Sequence, residues 1–185
     1  MTSASAPGLA AGTWVIDPVH SAVSFSVRHL NLAAMRGGFG EFSGEITVGD
    51  DALASAVRAE ISIASLNTLN GARDGHLLTG DFFDAEKHPT ATFASTGITE
   101  VADGKYTLQG ELTLKGVTRQ VDFELHFNGT ETDPQSGADK AGFSAVTEIL
   151  RSDFGVGPNI SLPSGKLAIG DKTVIELEIQ AALAG

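Results

Sequence analysis

The chain is predicted to be all-β, with about eight antiparallel strands closing into a barrel and one short helical segment near residues 72–84. Three observations lead there. Apolar and polar residues alternate with period two along most of the 185 residues. That alternation breaks only once for long, between residues 61 and 93. No other stretch has a helical pattern long enough to cover a sheet, so an antiparallel sheet with one apolar face must close or fold on itself. A β-sandwich is the second architecture compatible with the pattern.

The strands are read in order. Val19, Ser21, Val23, Phe25, Val27 and His29 share one face, against His20, Ala22, Ser24, Ser26 and Arg28. Phe42, Gly44, Ile46 and Val48 oppose Glu41, Ser43, Glu45 and Thr47, and Phe39 falls out of phase with them, which predicts a bulge near Gly40. Val57, Ala59, Ile61 and Ile63 form a third face, followed by a strand around 91–95. Tyr106, Leu108, Gly110, Leu112 and Leu114 are the next face, then Val121, Phe123, Leu125 and Phe127. Phe143, Ala145, Thr147 and Ile149 precede a last face of Ile175, Leu177 and Ile179. Gly116-Val117-Thr118 fits a tight hairpin, and residues 128–141 read as a polar loop. Within 72–84, Leu77, Leu78, Phe82 and Phe83 make an amphipathic plug suited to one barrel mouth.

Composition narrows the function classes. One domain is expected over 13–185, preceded by a flexible stretch at 1–12. The formal net charge of -11 argues against nucleic acid and against an anionic membrane surface, both of which need a basic patch. The absence of cysteine removes thiolate nucleophiles, disulfides and thiolate zinc sites. No apolar run approaches the roughly 20 residues of a membrane span. The first residues lack Lys and Arg and any long apolar core, so no secretory signal is read and a cytoplasmic location is expected.

An eight-stranded barrel is either filled by its own side chains or holds one small ligand. Ten Phe against one Tyr and one Trp make a lining almost free of polar handles. Small residues on the inward faces (Ser21, Gly44, Ala59, Gly110, Ala145) would leave voids unless something fills them. Burying a five-carbon unit contributes roughly 3–4 kcal/mol. Several such units outweigh an association cost of about 4–15 kcal/mol. A long lipid tail fits this interior and a small polar metabolite does not.

Five collinear motifs resemble the YceI-like family. They are Trp14-Val15-Ile16-Asp17-Pro18-Val19-His20-Ser21 and Gly38-Phe39-Gly40-Glu41-Phe42-Ser43-Gly44, then Arg73-Asp74-Gly75-His76-Leu77 followed by Asp81-Phe82-Phe83-Asp84. The last two are Gly110-Glu111-Leu112-Thr113-Leu114-Lys115-Gly116-Val117-Thr118 and Arg151-Ser152-Asp153-Phe154-Gly155. The resemblance covers 13 to about 181. It implies an extended eight-stranded antiparallel lipocalin-like β-barrel with an elongated pocket for a polyisoprenoid, a quinone-type tail or a related fatty lipid. It leaves a homodimer open.

The expected function is therefore non-enzymatic binding, sequestration or transport of such a lipid, with no cofactor. Its tail is expected along Phe25, Val27, Phe42, Ile61, Ile63, Phe93, Leu112, Phe123, Leu125 and Phe143, with Phe82, Phe83 and Phe154 closing a mouth. His29 is expected as a polar contact at one mouth. Arg73, Asp74 and His76 are expected to pin the plug to the rim by charge-assisted hydrogen bonds, or to hold a head group there. Arg151 and Asp153 look like a second such pair. The five histidines lack metal-ligand spacing, so no metal is expected. Two other functions stay open: an enzyme acting on a lipid head group with His76 or His29 as general base, and a filled barrel serving as an interaction module.

Overall fold

Among the described residues eleven hydrogen-bonded segments form, and they line up as eight long strands. The computed structural model describes residues 6–185. Three of the long strands are interrupted. β1 (Gly12–Ile16) and β2 (Ala22–His29) make the first, and β3 (Ala33–Phe39) and β4 (Phe42–Val48) the second. β5 (Ala56–Ser62) and β6 (Leu66–Asn67) make the third. The other five run unbroken: β7 (Thr90–Ala102), β8 (Lys105–Leu114), β9 (Val117–Thr132), β10 (Asp139–Leu150) and β11 (Ile169–Leu183).

Every pairing is antiparallel, and the ring closes on β11. Its upper part pairs with β1 (Ile16↔Ala181) and its lower part with β2 (Phe25↔Ile175). The expected eight-stranded antiparallel barrel is what forms. β9, at 16 residues, extends about 50 Å along its own direction at 3.3 Å per residue, so the tube is long.

The three interruptions sit side by side. Asp17 and Ser21, between β1 and β2, both bond the backbone of Gln180 on β11. The bulge expected near Gly40 is a two-residue break, with Gly40 N–H donating to the Ser65 carbonyl and Ser62 N–H to that of Glu41. Phe39 is thus out of phase with Phe42 because the break separates two segments.

Several local expectations are corrected. Helix α1 spans only Gly71–Leu77, capped by the Asn70 side chain on Arg73 N–H, and the rest of 72–84 is a chain of turns. Phe83 N–H donates to the Leu77 carbonyl and Ala85 N–H to that of Leu78, folding both phenylalanines back toward the barrel. The hairpin between β8 and β9 turns at Lys115-Gly116, one residue earlier than expected. Both have positive φ (50° and 75°), as a type I′ turn requires, and Leu114 pairs with Val117. The polar loop expected at 128–141 shrinks to 133–138, because β9 and β10 continue pairing out to Thr132↔Asp139.

Of the stretch expected to be flexible, residues 1–5 lie outside those described. Leu9 packs on a cluster of Trp14, Ile46, Val48, Ala141 and Ala181 at one barrel end. Trp14 is buried there, its indole N–H donating to the Ala10 carbonyl at 2.9 Å. At the opposite end α1 and the turns after it pack Leu77 and Phe82 against Leu66, Phe154 and Val156. Side chains close the two ends.

Candidate functional site

Between those ends the inward faces do not meet. A cavity of about 180 Å³ occupies the barrel from Leu9, Val48 and Ala52 inward, walled by Phe42, Phe93, Leu125, Phe127 and Phe143. A second, of about 130 Å³, lies beneath the plug, walled by Phe25, Val27, Phe39, Ile63, Leu77, Phe82, Phe83 and Ile149. Val23, Ile61, Leu112 and Ile175 border both, so the two are compartments of one apolar interior.

The small inward residues act differently from expectation. The space above Gly110 is taken by the Phe93 ring, and that above Gly44 by Ile16 and Ala59. Ser21 is turned to the Gln180 backbone. Ala59 and Ala145 border open volume.

An outer groove lies against the plug-side compartment, with Val27, Met35, Leu77, Phe82 and Ile169 as their common wall. Arg28, His29, Arg73 and His76 line this groove. A chain acidic overall thus gathers four basic side chains around one mouth.

Twelve of the fourteen expected contact residues border the interior. Phe42, Phe93, Phe123, Leu125 and Phe143 wall the larger compartment, and Ile61 and Leu112 border both. Phe25, Val27, Ile63, Phe82 and Phe83 wall the smaller. Two do not. Both were expected at a mouth instead: His29 ends β2 with its side chain exposed in the outer groove, and Phe154 is buried in the packing of the plug without facing a cavity.

The polar residues of the plug fasten it. Arg73 Nε and Nη2 donate to the hydroxyl (2.7 Å) and carbonyl (2.8 Å) of Thr68, and Thr68 donates its own hydroxyl and N–H to Asp74. Arg73 and Asp74 are therefore the structural pin. They grip the buried residue just after β6. His76 instead meets Asp81 at 2.9 Å and stands edge-on to Phe82.

Arg151 does not pair with Asp153. It is buried and donates to the carbonyls of Gly170, Val156 and Ile169 and to Asn159 Oδ1. Burial lowers its pKa from the ordinary value, opposed by the charge of Asp171. Asp171 is also the carboxylate that accepts from Ser152 N–H and Oγ. Burial pushes Asp171 up, but the Ser152 bonds and the Arg151 charge together hold it below the usual carboxylate value.

Sequence reasoning passed over wall residues such as Phe39 and Phe127, and also several polar ones. Lys115, displayed by its type I′ turn, donates to the carbonyls of Gly80 (3.3 Å) and Gly155 (2.9 Å) and so ties both closing segments to β8. Thr68 carried no pattern signal. Tyr106, on the inward parity of β8, brings a phenol to the larger compartment, and burial pushes it above its ordinary 10.0. Thr173 occupies the inward parity of Ile175, Leu177 and Ile179, a signal that was legible.

Among the described residues no group of three or more His, Asp or Glu side chains is placed to hold a metal, and no helix is long and apolar enough to cross a membrane.

Comparison with known proteins agrees with this geometry. The family model of the YceI-like domain matches residues 14–181. A UPF0312 protein of Vibrio parahaemolyticus is 36% identical over 152 residues, 80% of each chain. The crystal structure of the Campylobacter jejuni YCEI protein superposes with a TM-score of 0.73 at 30% identity, over 85% of this chain and 90% of that one. The structure of a polyisoprenoid binding domain from Saccharophagus degradans, implicated in plant cell wall breakdown, matches with a TM-score of 0.71 at 15% identity, covering 92% and 98%. At that identity it shows the shared fold alone. With a family match across nearly all of the barrel and relatives of the same extent, the chain belongs to the YceI-like family.

Proposed function

We infer that the barrel binds and shields the apolar chain of a polyisoprenoid or similar amphiphilic lipid, without chemistry on it. The observation that carries this is the two-compartment interior, walled by aliphatic and aromatic side chains and left open by the protein's own residues. Each methylene transferred from water into such walls contributes about 0.8 kcal/mol, so affinity grows with tail length. The Saccharophagus degradans domain, of the same fold, is a polyisoprenoid binding domain.

A head-group enzyme is less well supported. His29 and His76 lie in the outer groove, and the titratable groups bordering the interior are Tyr106 and an Arg151 whose nitrogens are occupied by backbone and Asn159 oxygens.

Native mass spectrometry of freshly purified protein, followed by organic extraction, tests the reading. A co-purifying lipid of defined mass is expected. Protein at its bare sequence mass that also fails to enclose an environment-sensitive apolar dye would overturn it.

A further inference from the structure

Single exposed apolar side chains are ordinary on a protein surface, but those at the plug end come with an unusual backbone. Leu32, in the turn between β2 and β3, is 80% exposed. Leu69, just before α1, is 94% exposed, and Ile160, in the connection between β10 and β11, 59%. Leu30 and Leu69 also hold φ of 51° and 62°, a left-handed conformation that disfavours a bulky side chain and suits Asn or Gly. At position 69 both the backbone and the solvent oppose leucine. Such a conflict with local rules is characteristic of functional positions.

These tips belong to one end of the barrel. Leu30 N–H donates to the Ala168 carbonyl and Ala168 N–H to that of Ile160, each at 2.8 Å, which ties the two loops together. Leu30 and Leu32 join the strand ends whose Arg28, His29, Ala33 and Ala34 line the outer groove, and Leu69 lies four residues before Arg73, which lines it too. Ile160 lines a neighbouring groove that shares His76, Phe82 and Ile169. Charge follows the same division. The connections at this end, 30–32, 68–89, 115–116 and 151–168, hold five Lys or Arg and five Asp or Glu, so the net charge of -11 lies wholly on the rest of the chain. Asp74 and Asp81, on the plug, are engaged by Thr68 and His76. Overall charge argues against an anionic surface for want of a basic patch, and folding assembles such a patch at this one mouth.

We propose that the plug end docks on a lipid bilayer carrying anionic head groups, with Leu32, Leu69 and Ile160 entering the interface and the basic groove meeting phosphates. The tips stand on separate loops with cationic side chains among them. That arrangement suits acyl chains and phosphates rather than the continuous apolar core of a protein–protein contact. The proposal rests on the reading of the interior as a lipid site, which gives this mouth a reason to face a bilayer.

Sedimentation with vesicles of phosphatidylcholine alone, and of equal parts phosphatidylcholine and phosphatidylglycerol, tests it. Wild-type protein is expected to pellet with the mixed vesicles, to pellet less with phosphatidylcholine alone, and to be released by salt. Arg28→Gln is expected to narrow the difference between the two vesicles. Leu32→Asn combined with Leu69→Asn is expected to weaken vesicle binding at least about tenfold, the factor carried by one leucine's transfer from water. Asparagine suits the backbone at 69, so this double variant is expected to melt no lower than wild type and to take up an apolar dye in solution equally well. Wild-type protein left in the supernatant with both vesicles, or equal vesicle binding by wild type and double variant, would overturn the docking face while dye uptake still reports on the carrier. Dimerisation that the double variant abolishes, without vesicle binding, would overturn it in favour of a second copy of the chain. Protein that pellets with the mixed vesicles but takes up no dye would sink the carrier reading and leave the docking face standing.

Discussion

Replacing Ala145 by leucine separates a hollow barrel from a solid one. Ala145 sits midway along β10, opposite Leu125 on β9 and Leu177 on β11, and all three border the larger compartment. The substitution adds three carbon atoms to a wall facing about 180 Å³ of open volume. In the ligand-free protein those carbons gain contacts that were missing, stabilising it by up to about 2 kcal/mol. For a chain of this size that is roughly 4–8 °C in Tm. The same carbons displace about three methylenes of a bound tail, which at about 0.8 kcal/mol each weakens binding roughly 50-fold. The assay pairs thermal melting of delipidated protein with titration of an apolar fluorescent ligand. Stability and affinity are expected to move in opposite directions. A solid interior behaves otherwise: overpacking lowers stability by about 1–3 kcal/mol and leaves ligand titration unmoved. That outcome would refute the hollow-barrel reasoning.

Three other outcomes follow from the fastenings of the plug. Arg151→Met strands the buried carbonyl of Val156 and the half-buried ones of Ile169 and Gly170 and is expected to cost about 3 kcal/mol, a Tm loss of roughly 6–12 °C by calorimetry. Lys115→Met removes the ties to Gly80 and Gly155, so hydrogen exchange is expected to quicken around 79–85 and 154–157 while global stability falls by only about 1 kcal/mol. Asp171 is held below its ordinary 3.8, so it favours the folded state above that pH and loses this contribution as pH falls through its lowered value. Asp171→Asn is therefore expected to melt lower than wild type at neutral pH and to flatten the loss of stability below about pH 4, read from melting temperature against pH.

Much of the barrel was legible because a strand's facing is set by parity alone. Phe123, Leu125 and Phe127 had to share a side whichever strand they paired with, and the face shared by Phe143 and Ala145 borders the same cavity. The count of eight followed from the number of alternating runs, and closure from the lack of helices to cover them. Parity cannot see where a strand is interrupted, which is why the break before β4 is read from sequence as a bulge near Gly40; the loop after β9 is drawn too long because the paired ends of β9 and β10 are polar.

The site divides along the same line. Local sequence determined which side chains face inward, a tight hairpin near Gly116, and the amphipathic plug. Tertiary structure alone decided whether opposing faces touch. It set Phe93 into the space over Gly110, left Ala59 and Ala145 on open volume, and spent Arg151 on the carbonyls of Val156, Ile169 and Gly170 and on Asn159 rather than on Asp153. It also gathered Arg28, His29, Arg73 and His76 from two separate segments around one mouth, inside a chain of net charge -11. The physical reason is that facing depends on the dihedral period within one strand. Volume and charge neighbourhood depend on distances across the closed ring, between residues that are remote along the chain or lie on different strands.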